Sequence, residues 1–135
     1  MREFHLEIVT PDGIVFDGNA EAILVRTDSG DVEIMGGHTD YFATLGIGMA
    51  KLKTKDNTRN ASSAGGFISV KGGEVKLVCT TFEFSDEIDL GRAKNAKLRA
   101  EEAMRSAADD KALTVLKAKL ARAINRINVA EFKQR

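Results

Sequence analysis

The sequence predicts an α+β protein with segregated parts: a ten-stranded β-sandwich in residues 1–85, followed by an antiparallel helical hairpin in residues 86–135. Three observations support this division. Short apolar segments that alternate with polar residues end near Ser85, and apolar spacings of three and four begin after it. Eleven of the twelve glycines lie before that point, where many turns are needed. The proline lies there too, so no proline interrupts the predicted helices.

The strands are predicted from alternating hydrophobicity and from turn residues between the segments. Phe4, Leu6 and Ile8 alternate with other residues at a period of two, which is typical of a half-buried strand. Lys71-Gly72-Gly73-Glu74 separates two apolar segments and indicates a hairpin. By these criteria strands are predicted at residues 4–9, 14–16, 22–26, 32–34, 46–52, 67–70, 75–78 and 80–84, and turns or loops at 10–13, 17–19, 29–31 and 53–60, within a total of nine or ten short strands.

The helical part begins with Ser85-Asp86-Glu87, which supplies an N-cap candidate and acidic residues for a first turn. A break at residues 106–110 separates two helices, and Asp109 is the predicted cap of the second. The apolar positions are Ala93, Ala96, Ala100, Met104 and Ala107 in the first helix and Leu113, Leu116, Leu120, Ile124 and Ile127 in the second.

The alanine-rich face of the first helix has an energetic consequence. A buried alanine contributes much less than the roughly 1.5–3 kcal/mol of a buried leucine or phenylalanine. The hairpin is therefore expected to dock weakly on the sandwich and to have two positions within a few kcal/mol, as a switch requires. The alternative is that alanine occurs here only because it favours helix formation.

Composition excludes several classes of protein. The 135 residues contain one cysteine, Cys79, and two histidines, so a disulfide framework, a multi-cysteine metal site and a histidine metal cage are not expected. Apolar runs of only a few residues exclude a transmembrane helix, and the start lacks a secretory segment, so an intracellular location is expected. Residues 1–85 carry 8 Lys and Arg against 12 Asp and Glu, whereas residues 86–135 carry 12 against 8. This asymmetry indicates partners of different character, or only solvated helix surfaces.

Four stretches, taken in order, resemble the epsilon-subunit family of the F-type ATP synthase. They are residues 6–13, the glycine–histidine stretch 30–39, residues 67–70 with Val75, and residues 88–94 at the start of the hairpin. The resemblance covers essentially the whole chain. The sequence departs from the family pattern at Gly36, where the family usually has proline, and near Asp40, where it commonly has an apolar residue or proline.

The resemblance implies a non-catalytic subunit of the central stalk that couples proton or sodium flow to ATP synthesis. The expected partners are the gamma subunit and the ring of c subunits, and also the alpha/beta head when the hairpin extends and restrains ATP hydrolysis. The expected location is the cytoplasmic side of the bacterial cell membrane, reached through the complex. Residues of the glycine–histidine loop and the strand after it are the candidates for partner contact: His38, Thr39, Asp40 and Phe42.

Some bacterial members of this family bind ATP on the folded hairpin, through the motif Ile/Leu-Asp-x-x-Arg-Ala. Residues 88–93 of this chain match it at every specified position. The resemblance implies that arginines bind the triphosphate, that Asp89 accepts a hydrogen bond from the adenine amino group, that Ile88 packs on the ring and that Glu83 reaches the ribose or base; whether Mg²⁺ accompanies ATP stays open. The complete implied ATP set is Glu83, Ile88, Asp89, Arg92, Ala93, Arg99, Arg122 and Arg126.

Helical geometry supports two arginine pairs but does not decide whether the two pairs face each other. Arg92 and Arg99 point within about 20° of each other, and Arg122 and Arg126 within about 40°. The second pair, however, lies roughly 120–160° round the helix from the leucine and isoleucine stripe. If that stripe faces the first helix squarely, the pairs point apart. Skewed packing, nucleotide binding or simple solvation of the arginines are the three alternatives.

Rival functions make other predictions. His38 in its glycine-flanked loop could be a general base, but no serine or cysteine nucleophile is tied to it, and no phosphate-binding GxxxxGK[ST] loop is present. A nucleic-acid module is disfavoured because acids alternate with the hairpin's lysines and arginines, without an aromatic stacking platform. The serious alternative is a purely mechanical rotor subunit that does not sense nucleotide.

Overall fold

The computed structural model describes residues 2–132. Contacts along the chain separate two compact units that divide between Phe84 and Ser85. The first unit contains ten strands and the second contains two α-helices, so the predicted ten-stranded sandwich and helical hairpin are confirmed. The strands are β1 (Phe4–Thr10), β2 (Gly13–Ala20), β3 (Ala22–Thr27), β4 (Gly30–Met35), β5 (Tyr41–Thr44), β6 (Gly48–Lys53), β7 (Thr58–Ala64), β8 (Phe67–Lys71), β9 (Glu74–Val78) and β10 (Thr81–Phe84).

The strands form two five-stranded sheets. The first sheet has the order β2-β1-β9-β8-β5, and the second has the order β10-β7-β6-β3-β4. Strands β1 and β9 pair in parallel, with Leu6 opposite Val75, and the other neighbouring strands pair antiparallel. The parallel pair places the start of the chain beside the Phe67–Val78 hairpin in the middle of the first sheet.

The core of the sandwich follows from the predicted alternation. Phe4, Leu6 and Ile8 are buried on β1, while the residues between them are half-buried. Branched aliphatic side chains of both sheets join them and stabilise the unit by removing apolar surface from water. The largest fully buried side chains of this unit are Leu6, Ile8, Ile23, Val25, Ile34, Ile68 and Leu77, with Cys79. Burial raises the pKa of the Cys79 thiol to about 11, as expected for a small apolar core residue.

One predicted turn is wrong, and another is shorter than predicted. Residues 17–19 belong to β2, because they continue the ladder with β1 in which Leu6 lies opposite Gly18. Within the predicted loop 53–60 only residues 54–57 lie outside strands, because β6 ends at Lys53 and β7 begins at Thr58. The sequence of β7, TRNASSA, carries small and polar residues without alternation, although Asn60, Ser62 and Ser63 are buried. Pairing across the sheet, which local pattern does not encode, decides both cases.

The Lys71–Glu74 hairpin turn is confirmed. Its two central residues, Gly72 and Gly73, have φ values of 57° and 82°. Positive φ at both positions is the requirement of a type I′ turn, which matches the twist of the flanking strands.

The helical unit contains a 3₁₀ turn at Ser85–Glu87, then α1 (Leu90–Arg105) and α2 (Asp110–Glu131). The helices pack on each other, and α2 also contacts the 3₁₀ turn that precedes α1, as an antiparallel hairpin requires. The predicted N-cap at Ser85–Glu87 is wrong, because the cap of α1 is Asp89. Asp109 caps α2 as predicted, with its Oδ1 accepting a hydrogen bond from the backbone N of Ala112 at 2.8 Å.

Candidate functional site

The first candidate surface begins at the N-terminus of α1. Oδ1 of Asp89 accepts a hydrogen bond from the backbone N of Arg92 at 3.0 Å, which satisfies one of the free donors of the first turn. The cap therefore gives the aspartate of the motif a local structural role, whereas the arginine side chain takes no part in it, because the donor is the backbone N–H. The cap also fixes the start of the helix and thereby the direction of the Arg92 side chain.

Arg92 and Arg99 lie on one side of α1, and both are exposed. The buried residues of this helix are Ala93 and Ala100, about 100° round the axis from the two arginines. Seven residues separate the arginines, so they stand roughly 10 Å apart along the axis. The positive end of the helix dipole adds to the charge of Arg92, which favours an anion at this end of α1.

The burial of α2 does not follow the leucine and isoleucine stripe. Four of the five stripe residues are half-buried and Ile124 is 37% exposed, whereas Ala123 and Val129 are only 3% and 1% exposed. On a helical projection Arg126 falls between these two buried residues, about 60° from each. Its Nε is buried, and the residue makes a further interaction. The packing is thus skewed away from the stripe, and Arg126 lies on the buried side of α2.

Seven of the eight residues predicted for ATP lie in the helical unit. Ile88 is half-buried between the 3₁₀ turn and the cap, and Ala93 is buried. Arg122 is half-buried, one turn before Arg126. Glu83 belongs to the other unit, where it is a half-buried residue of β10 that has an interaction partner.

The second candidate surface is the loop of residues 36–40 in the sandwich unit. Nδ1 of His38 donates a hydrogen bond to the carbonyl oxygen of Thr39 at 2.7 Å. The His38 ring packs edge-to-face against the Tyr41 ring, with ring centroids 5.7 Å apart. Oδ1 of Asp40 accepts a hydrogen bond from the backbone N of Gly72 at 3.0 Å. Asp40 therefore ties the loop to the β8–β9 turn, a structural role that its sequence neighbours do not reveal.

Gly36 has a specific neighbour in this loop. A Cβ at this position would lie 2.7 Å from the carbonyl oxygen of Arg2, so a side chain there would displace the N-terminal segment. The missing side chain lets Arg2 lie across the loop.

An apolar band crosses the outer face of the first sheet; it consists of Ile14, Val9, Val78, Phe67 and Phe42. Strand register defines it, because Val9 lies opposite both Ile14 and Val78, and Val78 lies opposite Phe67. Phe42 stacks on Phe67 with ring centroids 5.3 Å apart. Ile14 and Phe42 are 65% and 64% exposed, and an apolar groove beside Phe67 is lined in addition by Pro11 and Thr80.

The apolar band was not predicted from the sequence, although Phe42 was. The available signal was apolar residues at both the inward and the outward positions of a strand, as in Ile8-Val9 and Leu77-Val78. Val9, Val78 and Phe67 are half-buried and Ile14 and Phe42 are exposed, and a contiguous apolar surface of this kind marks interaction sites.

Two further properties concern residues 2–132. In this range no three or more His, Cys, Asp or Glu side chains are grouped so that they could hold a metal ion. Neither of the two described helices combines the length and the hydropathy that a bilayer span needs.

Comparison with known proteins adds the following similarities. Residues 3–85 match the family model for the β-sandwich domain of the ATP synthase delta/epsilon chain, and residues 86–131 match the model for its long α-helix domain. The ATP synthase epsilon chain of Bacillus pumilus is 39% identical over 132 residues, which is 96% of this chain and 98% of the relative. The epsilon chain of Staphylococcus aureus is 37% identical over 134 residues, 98% of this chain and 100% of the relative.

Two solved structures share the fold. A chain of the Euglena gracilis mitochondrial ATP synthase aligns with a TM-score of 0.78 at 20% identity, covering 91% of this chain and 78% of its own length. A chain of the Tetrahymena thermophila mitochondrial ATP synthase, from a structure of the central stalk and c-ring, aligns with a TM-score of 0.65 at 13% identity. The alignment covers 96% of this chain and 97% of the Tetrahymena chain.

Proposed function

Because this chain belongs to the ATP synthase delta/epsilon family, we propose that it is the non-catalytic epsilon subunit of a bacterial F-type ATP synthase and turns with the central stalk. Its sandwich binds the gamma subunit and rests on the c-ring, and its hairpin regulates ATP hydrolysis. The complex places the chain on the cytoplasmic side of the cell membrane, where it couples proton or sodium flow to ATP synthesis.

One observation supports this proposal above the others: both family domains occur in order over nearly the whole chain. The sandwich match ends at residue 85 and the helical match begins at residue 86. The chain also spans 98% of the Bacillus pumilus relative, so no large part of that subunit lacks a counterpart here.

We further propose that the hairpin binds ATP. The support is the complete match of residues 88–93 to the motif, and the charge that the helices present. Arg92 and Arg99 offer two exposed guanidinium groups on one side of α1, and a guanidinium donates paired hydrogen bonds to phosphate oxygens. Arg122 and Arg126 are both half-buried, which supports a position near the packed side of α2 rather than on its solvated side.

A specific observation also favours the purely mechanical alternative. Asp89 caps α1 through the Arg92 backbone, so the aspartate of the motif is useful to the fold without any nucleotide. The two functions differ in one measurable property, the affinity of the whole chain for ATP.

For the partner contact of the sandwich, we propose the apolar band together with the loop residues His38 and Thr39. The band is apolar, its two end residues Ile14 and Phe42 are exposed, and it contains an aromatic pair of the kind that dominates interface energetics. Asp40 contributes indirectly, by holding the loop to the Gly72 backbone.

Replacing Phe42 with aspartate is expected to weaken binding to an α3β3γ complex by about thirtyfold, because loss of an aromatic anchor costs about 2 kcal/mol or more. Surface-immobilised complex and the full chain in solution give the dissociation constant directly. Thr81→Asp is the matched control, since it adds the same charge at an exposed position of β10 in the second sheet. Failure of the unmodified chain to bind would overturn the proposed function, whereas equal binding by both variants would remove only the apolar band from it.

A further inference from the structure

A histidine bridges three strands on the outer face of the first sheet. Nε2 of His5 on β1 lies 2.6 Å from Oδ1 of Asp17 on β2, and its Nδ1 lies 2.6 Å from Oε2 of Glu74 on β9. The side chains are 42%, 48% and 69% exposed, respectively. Asp17 is 12 residues and Glu74 is 69 residues from His5 in the sequence. The two contacts join β1 to each of its neighbouring strands.

The chemistry of these contacts fixes the protonation of the ring. Ionised carboxylates only accept hydrogen bonds, so each of the two ring nitrogens must donate. A neutral imidazole has a single N–H and can satisfy one of the two carboxylates. The arrangement is therefore that of an imidazolium ion with one charge shared between two anions.

The surrounding charges show why the ring is needed. Glu7 on β1 lies directly opposite Asp17 on β2, and like charges in such a pair destabilise a sheet. Lys76 on β9 lies opposite Glu7, with its Nζ 3.4 Å from Glu7 Oε1. On the far side of β9, Lys71 of β8 lies opposite Glu74. Asp17, at the outer edge of the sheet, has His5 as its cationic neighbour.

We propose that His5 is a proton-operated clamp that holds β1 between β2 and β9 and releases one of these contacts when its ring loses a proton. The proton loss also raises the negative charge of this face by one. The clamp is a property of the sandwich alone and is independent of the proposed function.

The direction of the pH effect follows from linkage. Hydrogen bonds to Asp17 and then to Glu74 raise the pKa of His5 above its ordinary value of 6.5. A group whose pKa is raised on folding stabilises the fold fully below its unfolded pKa, and that stabilisation disappears as pH rises through the folded pKa. The clamp is thus closed below about pH 6.5 and opens on the alkaline side of that value.

The test is an NMR titration of the histidine ring signals in the full chain between pH 6 and 9, with the His5→Gln variant used to assign them. We expect the pKa of His5 to lie above 6.5, and to fall in both Asp17→Asn and Glu74→Gln. Glu33→Gln, on β4 of the other sheet, is the control and should leave it unchanged. A pKa at or below 6.5 in the unmodified chain, or a pKa that neither carboxylate variant lowers, would overturn the proposal.

Urea unfolding gives a second, independent readout. The stability difference between the unmodified chain and His5→Gln should be larger at pH 6 than at pH 9, because only the protonated ring donates twice. A difference that does not change with pH would show that His5 acts by packing, and would contradict the clamp.

Discussion

Replacing Arg92 with alanine is expected to weaken ATP binding to the isolated chain by tenfold or more. A hydrogen bond to a charged group contributes about 1.5–3 kcal/mol, and 1.4 kcal/mol corresponds to a factor of ten in the dissociation constant. The substitution keeps the backbone N–H that donates to Asp89, so the cap of α1 survives. Isothermal titration calorimetry measures the affinity, and circular dichroism checks that helix content is unchanged.

Arg105→Ala is the matched control for this experiment. Arg105 is an exposed arginine in the last turn of the same helix, about 120–140° round the axis from Arg92 and Arg99. The Arg105→Ala variant should bind ATP with the same affinity as the unmodified chain. If the unmodified chain gives no heat with ATP, the mechanical alternative is favoured; if Arg92→Ala and Arg105→Ala bind equally well, Arg92 is not a ligand.

Replacing Gly66 with alanine is expected to destabilise the sandwich by about 3 kcal/mol or more, from overpacking and backbone strain together. Gly66 has a φ of 92°, and a Cβ there would lie 1.8 Å from the carbonyl oxygen of Val78. That oxygen belongs to the end of β9, which pairs with β1, so it cannot move without loosening the parallel ladder. Urea unfolding followed by the fluorescence of Tyr41 reports on this unit, because the chain has one tyrosine and no tryptophan.

Gly13→Ala separates the two causes of that effect. Gly13 has a φ of 125°, but a Cβ at this position meets nothing within 4 Å. The Gly13→Ala control therefore introduces only backbone strain. It should lower the free energy of unfolding by about 1–3 kcal/mol, less than Gly66→Ala does. Equal losses of stability in the two variants would mean that the close approach to Val78 does not matter.

Elements with a local sequence signal could be predicted, whereas elements that depend on pairing with distant strands could not. The alternation of Phe4, Leu6 and Ile8 and the paired glycines of the β8–β9 turn are local signals, and both gave correct elements. β7 is held by its partners on either side and has a polar sequence, so residues 58–60 were predicted as loop. The extension of β2 through residues 17–19 was missed because Asp-Gly-Asn is typical of turns.

The candidate sites also contain features that were evident in the sequence and features that required the structure. The motif at residues 88–93 was evident in the sequence, but the capping role of Asp89 required the position at which α1 begins. The burial of α2 could not be inferred from its apolar stripe, because small side chains at Ala123 and Val129 define the buried side. The apolar band depended on the register of four strand pairs, which the sequence alone does not specify.

We propose that this chain regulates ATP hydrolysis through a hairpin that responds to ATP. If ATP binds the folded hairpin alone, it favours that state by RT ln(1 + [ATP]/Kd), about 2.7 kcal/mol at one hundred times Kd. The most direct measurement is the rate of ATP hydrolysis by an α3β3γ complex, with and without the full chain, over a range of ATP concentrations. We predict that the chain slows hydrolysis at low ATP and that rising ATP relieves the inhibition, with Arg92→Ala remaining inhibitory where the unmodified chain no longer is. If the chain binds the complex but leaves the rate unchanged at every ATP concentration, the hairpin does not regulate hydrolysis.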